Sequence, residues 1–217
     1  MDKFKKIIFQ TSHRILLEFL LKNNFKNSLK INKNETPIIV DFGSGKPRYI
    51  EYKKNAKWHF FDKNPNHEDV KYSETFDIPI SSADLFICIE VLQYLEIDEI
   101  KLLLNEARRI IGNKGIAIFS VPYLYPRNHK EKLRLSNPQS YKDLLTGDCK
   151  FRFQSFGNLS SMIHDILFDF IDKLESRLIA KFLLILIFPL NFLSLLLKKI
   201  NLLRIPSGYI FYIENIS

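Results

Sequence analysis

Short apolar runs alternate with amphipathic stretches along most of this chain. Ile38–Asp41, Trp58–Asp62, Leu85–Ile89 and Ile116–Val121 are four to six residues of continuous apolar character, or nearly so, closed by an acid, a turn or a proline. Such runs predict buried strands. Val70–Tyr72 adds a short third strand to the series. Between them, Ile97–Ile111 places Ile100, Leu103, Leu104, Ala107, Ile110 and Ile111 on one helical face, and Gly112–Gly115 ends it. Strands alternating with helices predict a parallel α/β sheet. Upstream, Ile7–Leu21 predicts an amphipathic helix with Ile8, Ile15, Leu16, Phe19 and Leu20 inward, and Asn23–Pro37 predicts a polar linker. Downstream, Tyr123–Gly147 is loop-like, Phe151–Phe156 predicts a strand, Met162–Leu203 a long apolar helical stretch, and Gly208–Glu214 a last strand.

The first strand runs straight into chemistry. Val40-Asp41-Phe42-Gly43-Ser44-Gly45 is a strand end, an acid and a Gly-x-Gly turn that lets a ligand approach backbone. Asp62 ends the second strand 21 residues after Asp41. A glycine turn after one strand and an acid ending the next is how a doubly wound sheet holds a nucleoside, with the acid on the ribose hydroxyls. The turn can also be an ordinary strand-to-helix connection, and Asp62 a cap or solvated acid before Asn64-Pro65. Asn64-Pro65-Asn66 follows the second strand, where it predicts a turn.

Composition narrows the setting. The chain has 217 residues, 46% of them apolar, enough for one domain with an elaboration. Its net charge of +8 admits nucleic acid, an anionic membrane or anionic small molecules as partners. No basic stripe with interleaved aromatics marks a nucleic-acid module, so nucleic acid is not the expected partner. Cys88 sits in a strand and Cys149 far from it in sequence, which predicts free thiols and a cytoplasmic setting. The five histidines are scattered, and no metal-ligand spacing is present. Lys3, Lys5 and Lys6 precede only three apolar residues, which does not match a signal peptide.

Several stretches, in order and with matching gaps, resemble the class I S-adenosylmethionine-dependent methyltransferases. Val40–Gly45 resembles their first motif. Asp77-Ile78-Pro79, then Asp84–Leu92 ending in Glu90-Val91-Leu92, resembles the segment around their fourth strand. Asn105–Gly115 is similar to their helix-to-strand turn, and Ser120-Val121-Pro122 to the exit of their fifth strand. The likeness covers roughly residues 36 to 123. Pro47 stands where the motif has a third glycine, which predicts a helix beginning on proline. Tyr94 stands where a histidine is common. A looser likeness, through Val121–Pro126, Arg134-Leu135-Ser136, Phe156-Gly157 and Pro206–Ile210, is to a branch associated with surface polysaccharide or glycolipid assembly.

The resemblance implies an α/β, Rossmann-like class I methyltransferase fold. Its sheet would be seven-stranded and mostly parallel, with helices on both faces and an apolar helical insertion, about 158–204, before an antiparallel last strand. Residues 1–35 would be a leading helix and linker, and 36–217 the catalytic domain. The cofactor would be S-adenosyl-L-methionine, held by Asp41, Gly43, Gly45, Asp62, Asp77 and Glu90. Asp41 would orient the turn or meet the methionine ammonium through water, and Asp77 (or Glu74) would face the adenine. His129 is the candidate base for a hydroxyl acceptor, or a solvated loop histidine. Tyr123, Tyr125 and Arg134 would grip a saccharide or anionic group, or serve packing and surface. An RNA acceptor and a catalytically idle scaffold are the alternatives.

Phe182–Leu197 is a second informative stretch, with Asn191 and Ser194 as its only polar side chains. Sixteen helical residues span about 24 Å against a hydrocarbon core of about 30 Å. Pro189 interrupts the run, and Arg177, Lys181, Lys198, Lys199 and Arg204 flank it. Short, broken and bordered by cations, it predicts peripheral membrane contact through 177–204 at the inner face of the cell membrane. A buried helix pair, a dimer interface and a spanning helix are the other possibilities. The acceptor would then be a lipid-linked saccharide or similar envelope precursor.

Overall fold

The computed structural model describes residues 11–31, 36–72, 83–123, 137–174, 176–190 and 206–216. Its elements are α1 (Ser12–Ile31), β1 (Ile38–Phe42), β2 (Lys57–Asp62), β3 (Val70–Tyr72), β4 (Leu85–Ile89), α2 (Ile97–Ile111), β5 (Ile116–Pro122), α3 (Pro138–Lys142), β6 (Cys149–Phe156), α4 (Leu159–Asp172), α5 (Arg177–Ile187) and β7 (Gly208–Asn215). The chain forms two units. One comprises Met1–Leu21, Pro122–His129 and Ser155–Tyr209; the other comprises Lys22–Val121, Lys130–Gln154 and Ile210–Ser217.

Seven strands form one sheet in the order β3-β2-β1-β4-β5-β7-β6. β1 pairs in parallel with β2 and β4, β2 with β3, and β4 with β5. β7 runs the other way. Just past β5, Tyr123 N–H donates to Ser207 C=O, just before β7 begins (2.8 Å). At the opposite end, Asn215 donates through Nδ2 to the Gly112 carbonyl (2.6 Å), shortly before β5 starts.

Side-chain alternation places the two faces of the sheet. Phe42, Phe86, Phe119 and Phe211 form an aromatic row, with centroids 6.5, 5.8 and 5.0 Å apart. Tyr141 and Phe151 flank Phe211 at 5.1 and 5.4 Å. The opposite face of β2 carries Trp58 stacked on Phe60 at 5.5 Å. Phe25, fully buried, meets Trp58 at 6.0 Å, Tyr52 at 5.4 Å and Tyr49 at 6.4 Å.

That cluster corrects the reading of Asn23–Pro37 as linker: α1 continues to Ile31. Lys22 and Asn23 are exposed while Phe25 is buried, so the polar residues lie on the outer side of a helix and do not end it. The inward face is also rotated. Leu16, Leu17, Leu20, Leu21 and Phe25 are buried, and Phe19 is 57% exposed. No helix starts at Pro47; the connection holds only a 3-10 turn, Ile50–Tyr52. Fourteen residues join β1 to β2, and the Pro47 ring cannot donate a backbone hydrogen bond. The Met162–Leu203 stretch is broken within its described part, after α4 and again after α5. Lys173 caps the end of α4, Ser176 precedes α5, and α5 stops two residues before Pro189.

Candidate functional site

β1 leads leftward to β2 and β3, and the chain then crosses to β4 and β5 on the other side. The crevice between the carboxyl ends of β1 and β4 is therefore the switch point of the sheet, where ligands of such folds bind. Phe42 is level with Phe61 on β2 and with Cys88 on β4. One step further, Gly43, Asp62 and Ile89 lie at one level, and Ile89 pairs with Ser120 on β5. All belong to the unit that holds the parallel strands.

The turn after β1 is bonded to the end of β2. Gly43 and Ser44 donate their N–H groups to the Phe61 carbonyl at 2.7 and 3.3 Å. Gly45 N–H donates to Asp62 Oδ2 at 2.7 Å. The other oxygen of Asp62 accepts from Asn64 N–H, also at 2.7 Å. Asn66 N–H reaches the Gly45 carbonyl at 3.4 Å. Asp62 is half-buried, and each of its oxygens keeps a second lone pair.

The two glycines differ. Gly43 has φ +75°, and a Cβ there would sit 2.2 Å from Val91 Cγ2. Its bareness is fixed by conformation and by packing against β4's exit. Gly45 has φ +56°, and a Cβ would meet nothing closer than Asn66 and Asp62 at 3.8 Å. Gly45 thus needs its backbone conformation, while a Cβ there would only touch Asn66 and Asp62 at ordinary contact distance.

Glu90, directly after β4, is the one described non-glycine residue with positive φ, +61°. A glutamate gains nothing locally from that conformation. It is held there by Ser120, whose hydroxyl donates to Glu90 Oε1 at 3.0 Å, while Glu90 N–H reaches Ser120 Oγ and C=O, each at 3.2 Å. Gln93 Nε2 donates to the Glu90 carbonyl at 3.0 Å. Backbone strain maintained by such contacts concentrates at functional sites.

Asp41 is 2% exposed and shares its face of the sheet with Phe60 and Ile87. Burial pushes the Cys88 thiol well up, and the carboxylates of Asp41 and Asp62 push it further the same way. Tyr123 is in the other unit, edge-on to Tyr209 with centroids 5.3 Å apart. Asp77, Tyr125, His129 and Arg134 lie outside the described residues.

The structure adds residues that sequence reasoning did not assign. Ser44 lies in the turn, 8% exposed, and its hydroxyl has no hydrogen-bond partner among the described residues. The same holds for Oε1 of Gln93, 2% exposed. Ser120 holds Glu90, and Val91 packs on Gly43. Ser120 stood in a recognised strand exit, but pairing with a residue 30 positions away leaves no local signal.

No protein-family model matches the sequence, and no curated protein matches it. Solved structures do. A SAM-dependent methyltransferase from Archaeoglobus fulgidus superposes with a TM-score of 0.53 at 15% identity, over 90% of this chain and 93% of that one. The fold is that of the class I methyltransferases. Phosphoethanolamine N-methyltransferase 2 of Haemonchus contortus, solved with S-adenosyl-L-methionine, superposes with a TM-score of 0.51 at 13% identity. There the match covers 89% of this chain and 53% of that one, so this chain spans about half its length. In this class I methyltransferase fold the Gly43–Gly45 turn, Asp62 and Glu90 gather at the carboxyl edge of the sheet.

Proposed function

We propose that this protein is an S-adenosylmethionine-dependent methyltransferase, peripheral to the membrane, acting on a saccharide or lipid-linked envelope precursor. The carrying observation is the bonding of the Gly43-Ser44-Gly45 turn to Asp62 at the switch point. A dinucleotide site would use a helix N-terminus after the turn to hold pyrophosphate. Here only the 3-10 turn Ile50–Tyr52 follows. A nucleoside cofactor without phosphates suits that arrangement better, and both compared structures are methyltransferases.

The residues present fit the cofactor. Gly45 puts bare backbone beside the Asp62 carboxylate, and the Ser44 hydroxyl is a buried donor with no partner among the described residues. The Asp62 carboxylate, already oriented by two N–H groups, offers its remaining lone pairs to the ribose hydroxyls. The turn backbone takes the amino-acid end, with Asp41 behind it. Glu90, set by Ser120, holds the crevice opposite Asp62, and by resemblance Asp77 faces the adenine. The cofactor supplies an electrophilic methyl group; the protein's task is in-line positioning and exclusion of water. His129 is the proposed base, and Tyr123, Tyr125 and Arg134 the acceptor grip, again by resemblance.

Isothermal titration with S-adenosylhomocysteine and, separately, with NAD tests this reading. Binding of the first and not the second is the expected result. Binding of neither, or of NAD alone, would overturn it.

A further inference from the structure

The helix α4 is folded inside out. At about 100° per residue, Ile163, Ile166, Leu167 and Phe170 make one stripe. They are 41, 39, 36 and 67% exposed. The opposite side carries Ser161, His164 and Asp165, each 0% exposed. That orientation is fastened by hydrogen bonds. Both oxygens of Asp165 accept from His13 N–H, at 3.2 Å each. Asn158 and Ser161 form a reciprocal cap, and the hydroxyls of Ser161 and Ser207 are 2.6 Å apart. Turning the apolar stripe inward would break the His13–Asp165 and Ser161–Ser207 bonds, leaving buried polar groups unsatisfied. So the outward stripe is a fixed property of the fold.

The helix α5, in the same unit, repeats the pattern. Leu178, Ile179, Phe182, Ile185 and Leu186 are 82, 55, 61, 53 and 57% exposed, and they fall within an arc of roughly 120°. Leu184 is buried on the other side. Arg177 and Lys181, both exposed, lie along one border of the arc, and α5 contains no acid. Lys173 is exposed between the helices and pairs with Asp169. Exposed apolar stripes of this extent mark an interaction surface.

We propose that the α4 and α5 stripes seat this unit on a membrane surface bearing anionic lipid headgroups. The inference deepens the methyltransferase reading, and rests on it for the acceptor the surface would serve. The apolar arc enters the interface while Arg177 and Lys181 at its border meet lipid phosphates. No helix among the described residues is long and apolar enough to cross a membrane, so the two helices lie along it. A second copy of the chain fits less well, because its α5, which contains no acid, offers Arg177 and Lys181 no counter-charge.

The full chain is sedimented with vesicles of phosphatidylcholine alone and with added phosphatidylglycerol. Wild type should follow the anionic vesicles and stay bound in high salt. The double variant Phe170→Ser, Phe182→Ser should lose roughly tenfold or more in partition. The variant Arg177→Gln, Lys181→Gln should lose several-fold, on anionic vesicles only. Leu178→Gln gives a second apolar probe at the most exposed position. Unchanged thermal melts of the variants establish that they are folded. The proposal fails if wild type ignores both vesicles, if the apolar variants bind as wild type does, or if wild type is a dimer that the Phe170→Ser, Phe182→Ser variant makes monomeric. Vesicle binding by a protein that does not bind S-adenosylhomocysteine would support the surface and remove the methyltransferase reading.

Discussion

The Gly45 N–H donates to the Asp62 carboxylate at 2.7 Å, tying the turn after β1 to the end of β2. One side chain therefore shapes the turn and faces the nucleoside position. Asp62→Ala should weaken S-adenosylhomocysteine binding by about 1.5–3 kcal/mol, the usual range for hydrogen bonds to a charged group. Titration calorimetry measures it. Unchanged affinity in a folded Asp62→Ala protein would restrict Asp62 to holding the turn.

Gly43 and Gly45 should respond differently to alanine. Gly45→Ala meets only the backbone penalty of a left-handed residue, about 1–2 kcal/mol. Gly43→Ala adds a clash with Val91, with an overpacking cost of about 1–3 kcal/mol. Val91→Ala should partly rescue Gly43→Ala and leave Gly45→Ala unrescued. Urea unfolding of the three single and two double variants gives the coupling.

At position 90 the ordinary ranking of alanine over glycine should invert. Glu90→Ala loses the Ser120 contact and keeps the positive φ; Glu90→Gly loses the same contact and relieves the strain. Glycine should be the more stable variant by about 1 kcal/mol. Both should reduce cofactor affinity. Equal stability would mean that the backbone relaxes out of the left-handed region.

Tyr212 gives a pH signature. Burial pushes its pKa from 10.0 up to about 12, against the opposing effects of Arg152 and of the Asn24 hydrogen bond. A folded value above the unfolded one means that the neutral phenol is favoured by folding. This contribution is complete below pH 10 and is lost as pH rises towards 12. Tyr212→Phe should therefore show a smaller loss of stability across that window than wild type. Parallel curves for the two proteins would remove Tyr212 as the source.

Much of this fold is local information. Leu85–Ile89 and Ile97–Ile111 stand where the apolar patterns put them, because a buried strand and an amphipathic helix each carry their period in consecutive residues. The extension of α1 to Ile31 was hidden because it depends on Phe25 finding Tyr49, Tyr52 and Trp58, none of them nearby in sequence. The candidate site divides in the same way. The turn and Asp62 follow from motif and spacing. The packing of Val91 on Gly43 and the grip of Ser120 on Glu90 are pairings across strands, with no periodic trace. The exposed apolar side of α4 was legible as apolar, but its direction is set by Asp165 and Ser161, whose partners are His13 and Ser207.

Trp58 is the single tryptophan of the chain. It stacks on Phe60, donates its indole N–H to the Lys53 carbonyl at 3.0 Å, and sits on the strand that ends in Asp62. Its emission is thus an optical label already built into one unit and absent from the other. Fluorescence recorded beside far-ultraviolet dichroism can time the opening of the parallel strands separately from the loss of helix, with no dye or engineered probe.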